Sequence, residues 1–193
     1  MDVDLSNSSK QRIISILVIV LLVTQSVLLI LVLMDLRFIR QLTIATRMIS
    51  QGDQIESLIG TQAIDFVLPD VGENLISLSE YKGRPILLAF TSHECSACRE
   101  MYPGLREFLQ KKANIEVFVV SMNNTEENRK FQGEFALKGY KNLHVLSATP
   151  EVFQSYLIVG TPTFIVIDME GQIVRTGYAS TASQIVELTE GVE

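Results

Sequence analysis

Apolar and polar positions fall into three regimes along the chain. From Ile13 to Met34 no residue is charged and nearly all are apolar. Such a run matches the roughly 20 residues that cross a hydrocarbon core of about 30 Å as a helix, and it is long for a buried core helix. It predicts a transmembrane anchor over residues 13–34, preceded by a tail of residues 1–12. The exit, Leu33-Met34-Asp35-Leu36-Arg37, lacks the small-residue cleavage pattern of a signal peptide, so the anchor is expected to stay attached. Thr24, Gln25 and Ser26 interrupt its middle. They are either tolerated there or hydrogen-bonded to a partner helix.

The second regime, residues 35–60, reads as a helical juxtamembrane stalk. Phe38, Leu42, Ala45 and Ile49 recur at helical spacing, but fewer than two heptads do not define a coiled coil. The third regime, residues 61–193, alternates short apolar runs with amphipathic ones. Residues 63–68 and 75–78 alternate about Pro69-Asp70 and Gly72-Glu73-Asn74, which predicts a β-hairpin. Residues 86–90 and 115–121 form apolar runs suited to strands covered on both faces. Helices are predicted from Cys95 through Leu109, over 126–138, over 150–156 behind Pro150, and over 183–188, capped by Thr181 or Ser183. A short strand at 143–146 and a hairpin of 163–168 with 172–178 complete the pattern. The order predicts an α/β domain, a central sheet flanked by helices.

Charge changes this picture little. A net charge of −6 leaves no basic excess to neutralise phosphates, which argues against a nucleic-acid partner. Lys10 and Arg12 precede the apolar run; Arg37, Arg40 and Arg47 follow it. That balance does not set an orientation and leans slightly against export of the domain.

The chain has only two cysteines, Cys95 and Cys98, in the stretch FTSHECSACREMYP between a buried strand and a helix. Spacing of three puts both on one helical face, near the reach of a disulfide. The unpaired N–H groups and partial positive charge of a helix start favour a thiolate at Cys95, the species that attacks disulfides. Cys98, one turn further in, is the candidate resolving thiol. Glu94 would raise the Cys95 pKa, and a protonated His93 would lower it, so both are candidate modulators. Other readings of the pair stay open: half a zinc site completed by His93 and His144, two unreactive buried cysteines, or a structural disulfide. A second feature favours catalysis. Pro162 opens the apolar strand after Gly160-Thr161, where proline removes a ladder donor and a cis Thr161–Pro162 bond is one justification.

Strand, Cys-x-x-Cys, helix with Pro103, then Gly160-Thr161-Pro162-Thr163 before the last hairpin resemble the thioredoxin-like fold, a central mixed sheet flanked by helices. Residues 63–70 and Gly83-Arg84-Pro85 are similar to the membrane-anchored thiol–disulfide oxidoreductases of TlpA and ResA type. The N-terminal span, Phe90 to Cys98, Val145 to Ser147 and the ending around Gly177 are similar to the methylamine-utilisation MauD family. The resemblance implies Cys95 as nucleophile, Cys98 as resolver, and Pro162 as a cis-proline facing them. It implies that Thr161 holds a substrate peptide by its backbone. It further implies no cofactor beyond a redox-active Cys95–Cys98 disulfide, no metal, protein thiols and disulfides as partners, and a membrane electron partner. Lipid contact is through 13–34, and the expected localisation is a single-pass cell-membrane protein with its catalytic domain extracytoplasmic. MauD-like proteins add an expected role in maturing a disulfide-containing enzyme subunit.

The chain departs from the thioredoxin pattern in three places. Glu94 stands where tryptophan is usual, Ala97 where proline is common between the cysteines, and Ala89 where a buried acid would accept a proton. Two other functions compete. A peroxiredoxin-like peroxidase would need Pro-x-x-x-Thr-x-x-Cys, where this chain has Leu88 and Ser92. A non-enzymatic assembly or metal-delivery protein on the same scaffold is the other.

Overall fold

The computed structural model describes residues 54–192, together with 21, 22, 24–26, 28, 29 and 32. The tail over 1–12, most of the span over 13–34 and the stalk up to residue 53 lie outside the described residues. Among the described residues no helix is long and apolar enough to cross a membrane. The described part of the span is helical. There Thr24 Oγ1 donates to Leu21 O and Ser26 Oγ to Leu22 O, each at 2.8 Å, so both hydroxyls are satisfied within their own helix.

The domain is built on a five-stranded sheet of order β5-β4-β3-β6-β7. Its strands are β3 (Ile86–Thr91), β4 (Glu116–Ser121), β5 (Leu143–Ser147), β6 (Thr163–Ile167) and β7 (Ile173–Gly177). β3, β4 and β5 run parallel, while β6 is antiparallel to β3 and β7 to β6, which makes the sheet mixed. A separate two-stranded hairpin, β1 (Val67–Pro69) with β2 (Leu75–Ser77), precedes it and leads into a short 3-10 helix, Leu78–Tyr81. Helices α1 (Ser96–Lys111), α2 (Thr125–Glu134), α3 (Pro150–Ser155) and α4 (Ala182–Thr189) connect and close the domain.

Alternation along β3 divides the core. Leu87 and Ala89 face the layer of Met101, Leu105 and Phe108 from α1, with Phe131 of α2 and Ile185 of α4. Ile86, Leu88 and Phe90 face Phe153 and Tyr156 with Phe66 and Leu78 from the hairpin side. All six residues of β3 are buried, as expected of a strand covered on both faces. Ile55, in the segment read as a stalk, is buried in the second layer, and Gly60 N donates to Ile173 O at 2.7 Å.

Two element ends differ from the pattern in the sequence. The helix expected to run to residue 138 stops at Glu134, because Ala136 takes a left-handed φ of 52° and Leu137 N bonds Gln132 O at 2.9 Å. That closure satisfies the last carbonyls and buries Leu137. The first hairpin starts at Val67 rather than residue 63, because Ala63 N is bonded to Gly171 O and Ile64 O accepts from Tyr156. Across the first layer, α1 approaches α4 so closely that a Cβ on Gly104 would lie 2.8 Å from Ala182 N.

Candidate active site

β3 delivers the chain to the sheet's C-terminal end, and a short turn then starts α1. Cys95 is the N-cap of that helix, with extended φ and ψ of −85° and 109°. Its sulfur takes the place usually held by a Ser or Asp oxygen: Cys98 N donates to Cys95 Sγ at 3.2 Å. The Cys95 thiol in turn donates to Thr161 O at 3.1 Å. The Thr161–Pro162 bond is cis and Pro162 is buried. Thus the two segments singled out in the sequence, 66 positions apart, meet through one hydrogen bond.

The two thiols sit in different environments. Cys95 is partly exposed and Cys98 fully buried, and both are free. Burial opposes ionisation of Cys95, but hydrogen bonds from the Cys98 and Thr161 side chains and from the N–H groups of Cys98 and Ala97 outweigh it, so its pKa lies below the usual thiol value. For Cys98, burial dominates and the hydrogen bond to Cys95 adds to it, pushing the thiol up to about 11. The pair therefore holds one sulfur that ionises more readily than an ordinary thiol and one that keeps its proton at neutral pH.

His93 and Glu94 flank the pair differently. The His93 ring stacks on Phe131, with centroids 4.2 Å apart and planes 22° apart, and its backbone N–H donates to Asn123 Oδ1 at 2.9 Å. Nε2 is buried without a hydrogen-bond partner among the described residues. Burial holds the imidazole below its ordinary pKa, so at neutral pH it is not the cation that the sequence left open. Glu94 is exposed. His144, which a zinc site at the cysteines would need, lies on β5 with Glu116 of β4, at 3.0 Å.

Several contributors were not singled out in the sequence. Tyr102, one turn beyond Cys98, is buried beneath the pair, and burial raises its phenol pKa. Its hydroxyl approaches the side chain of Thr91. These neutral hydroxyls occupy the protein interior near a position, Ala89, that offers no acid. The spacing of Tyr102 from Cys98, i to i+4, is the signal that would have found it. A groove of about 580 Å³ opens beside Thr161, lined among others by Met122, Phe153, Ile158 and Val159. These come from separate segments, and no local pattern joins them.

The Redoxin family profile matches residues 58–188. Methylamine utilization protein MauD of Methylophilus methylotrophus is 28% identical over 148 residues, covering 69% of this chain and 67% of MauD. Thiol-disulfide oxidoreductase ResA of Halalkalibacterium halodurans is 27% identical over 128 residues, covering 66% of this chain and 73% of ResA. Among solved structures, the thioredoxin domain of a thiol-disulfide oxidoreductase from Bacteroides vulgatus matches with a TM-score of 0.58 at 25% identity, covering 67% of this chain and 96% of that one. The likeness to ResA and MauD read from the motifs is thereby borne out.

Proposed function

The chain belongs to the redoxin family and is a thioredoxin-like thiol–disulfide oxidoreductase; from that premise we propose that it is tethered to the cell membrane by residues 13–34, with its domain extracytoplasmic, and exchanges disulfides with cysteines of exported proteins. The observation that carries the chemistry is the double role of Cys95 Sγ, which accepts Cys98 N–H at 3.2 Å and lies 3.1 Å from Thr161 O. The Cys98 N–H favours the sulfur as an anion, and the sulfur stands beside a backbone acceptor that a client strand can use.

Four bond changes complete one turnover. The Cys95 thiolate attacks a client disulfide, forming a Cys95–client disulfide while the other client sulfur leaves as thiolate and takes up a proton. Cys98 loses its proton and attacks the Cys95 sulfur. The Cys95–Cys98 bond forms as the second client sulfur leaves and is protonated. Two electrons pass from the dithiol to the client, and a membrane dithiol partner restores the reduced pair by the same exchange. Run backwards, the same steps oxidise a client dithiol. No further cofactor enters. The likeness to MauD supports a role in maturing a disulfide-containing enzyme subunit.

Cys95→Ala is expected to abolish reduction of insulin disulfides, whereas Cys98→Ala is expected to accumulate client-linked mixed disulfides released by dithiothreitol. Full turnover in both variants overturns the assignment. Labelling of Cys95 in intact cells by a membrane-impermeant maleimide tests the topology, and protection until the membrane is permeabilised overturns it.

A further inference from the structure

Resting on that reading, we propose that the groove beside Cys95 selects client segments in which the exchanging cysteine is flanked by an apolar residue and a basic one, and that Glu94 is the group that reads the basic residue. The groove, about 580 Å³, has an apolar wall of Met122, Phe153, Ile158 and Val159. Met122 and Val159 are 47% and 51% exposed, large apolar side chains left in water at the rim of a reactive thiol. Thr161, whose carbonyl receives the Cys95 thiol, also lines the groove.

Among the residues lining the groove Glu94 is the only charged one. Its carboxylate makes no ion pair or hydrogen bond among the described residues. The neighbouring cation, Arg99, is already paired with Glu134 and lies over the Phe135 ring. Asn123, a polar neighbour in the groove, is turned inward: its Oδ1 accepts from His93 N and Ser121 Oγ, both at 2.9 Å. The groove thus offers apolar contact and one uncompensated negative charge.

Geometry then orders the client. Once Cys95 is in a mixed disulfide it has no hydrogen to give Thr161 O, which becomes free to accept a client backbone N–H. In an extended segment laid along that carbonyl the two residues flanking the exchanging cysteine project to one common side, the groove that holds both the apolar wall and Glu94. One side chain next to the exchanging cysteine meets the apolar wall, and another reaches Glu94. A cationic group there gains a charge-assisted contact at a half-open site, and an acidic one is repelled.

The test is exchange kinetics of the full chain in detergent with disulfide-linked peptides that differ only beside the cysteine, in a Leu-Cys-Lys, Leu-Cys-Glu or Ser-Cys-Lys context, with glutathione disulfide as a small substrate. In the wild type the Lys peptide should exchange on the order of fivefold faster than the Glu peptide at low salt, and the ratio should shrink toward one near 1 M salt, where the Debye length is about 3 Å. Replacing Leu by Ser should slow exchange by about fivefold. Because Glu94 adjoins Cys95, each variant is judged by its own ratio of peptide rates, which cancels any change in sulfur reactivity. The ratio should fall to about one in Glu94→Gln and invert in Glu94→Lys. Equal rates in the wild type, or a preference that survives Glu94→Gln, overturns the proposal while leaving the oxidoreductase intact. Failure with glutathione disulfide as well as with every peptide overturns the exchange reading and this proposal with it.

Discussion

The two ends of the central sheet each hold a histidine stacked on a phenylalanine, and they use it in opposite ways. Where β4 and β5 begin, His144 lies on Phe118 with centroids 4.7 Å apart and planes 23° apart. Its Nε2 meets Glu116 Oε2 at 3.0 Å, its Nδ1 faces Tyr81 OH at 3.5 Å, and Glu116 Oε1 accepts from Arg84 at 2.6 Å. Every polar atom of the ring has a partner. At the cysteine end, His93 lies on Phe131 just as flat, yet among the described residues its Nε2 has no partner. One end is electrically closed. The other keeps a buried ring nitrogen unpaired two residues before Cys95. Saturated polar clusters fix a fold, and incompletely bonded ones leave room for chemistry.

Experiments that break this contrast differ in expected size. The largest effect is at the thiols themselves. Iodoacetamide should modify Cys95 far faster than Cys98 at pH 7, by orders of magnitude, with Cys95 reacting along a titration whose midpoint lies below the ordinary thiol value. Cys98 in Cys95→Ala is held back by its burial. Equal labelling of the two would remove the asymmetry on which the proposed roles rest.

Next comes the closed end. His144→Phe keeps the stack but removes the partner of Glu116 Oε2 and Tyr81 OH, and should cost about 1–3 kcal/mol of unfolding free energy, measured by urea denaturation, with the exchange rate unchanged. A matching loss of exchange would show that the two ends are coupled.

A smaller effect comes with pH. Cys98 is an acid whose folded pKa, about 11, is above its unfolded value, so the folded dithiol holds more protons in between. Its contribution to stability is intact below the unfolded thiol pKa and is lost as pH rises toward 11. Thermal melts of the reduced protein should fall through that window, and less so in Cys98→Ala.

The smallest effect is the mirror of the second. His93→Phe removes a buried, unpartnered nitrogen and keeps the ring, so stability should hold or rise by less than about 1 kcal/mol. A loss as large as that of His144→Phe would mean that Nε2 has a partner in solution and that the ends are alike.

Much of this was legible in the sequence because the signals were local. The run Ile86 to Phe90 announced a strand buried on both faces, and the Cys-x-x-Cys at its end announced where a helix would start. The proline of Thr161-Pro162 marked the second segment, although only the fold brings it to Cys95. What stayed hidden depends on distance along the chain. The partner of His93 is Phe131 and the wall of the groove joins Met122, Phe153 and Val159. Periodicity carries no information about such meetings. The overlong α2 failed for a local reason: helical spacing continued past Glu134, but a left-handed Ala136, the position where glycine is the usual stop signal, ended the helix.

The hydrogen bond from Cys95 to Thr161 O has one more consequence. Only the protonated sulfur occupies that carbonyl. Ionisation vacates it, so under the proposed mechanism the event that arms the nucleophile also clears the berth for an incoming main chain. Readiness to react and readiness to receive become a single switch thrown by one proton, and a neutral thiol stands as its own placeholder until a client takes its seat.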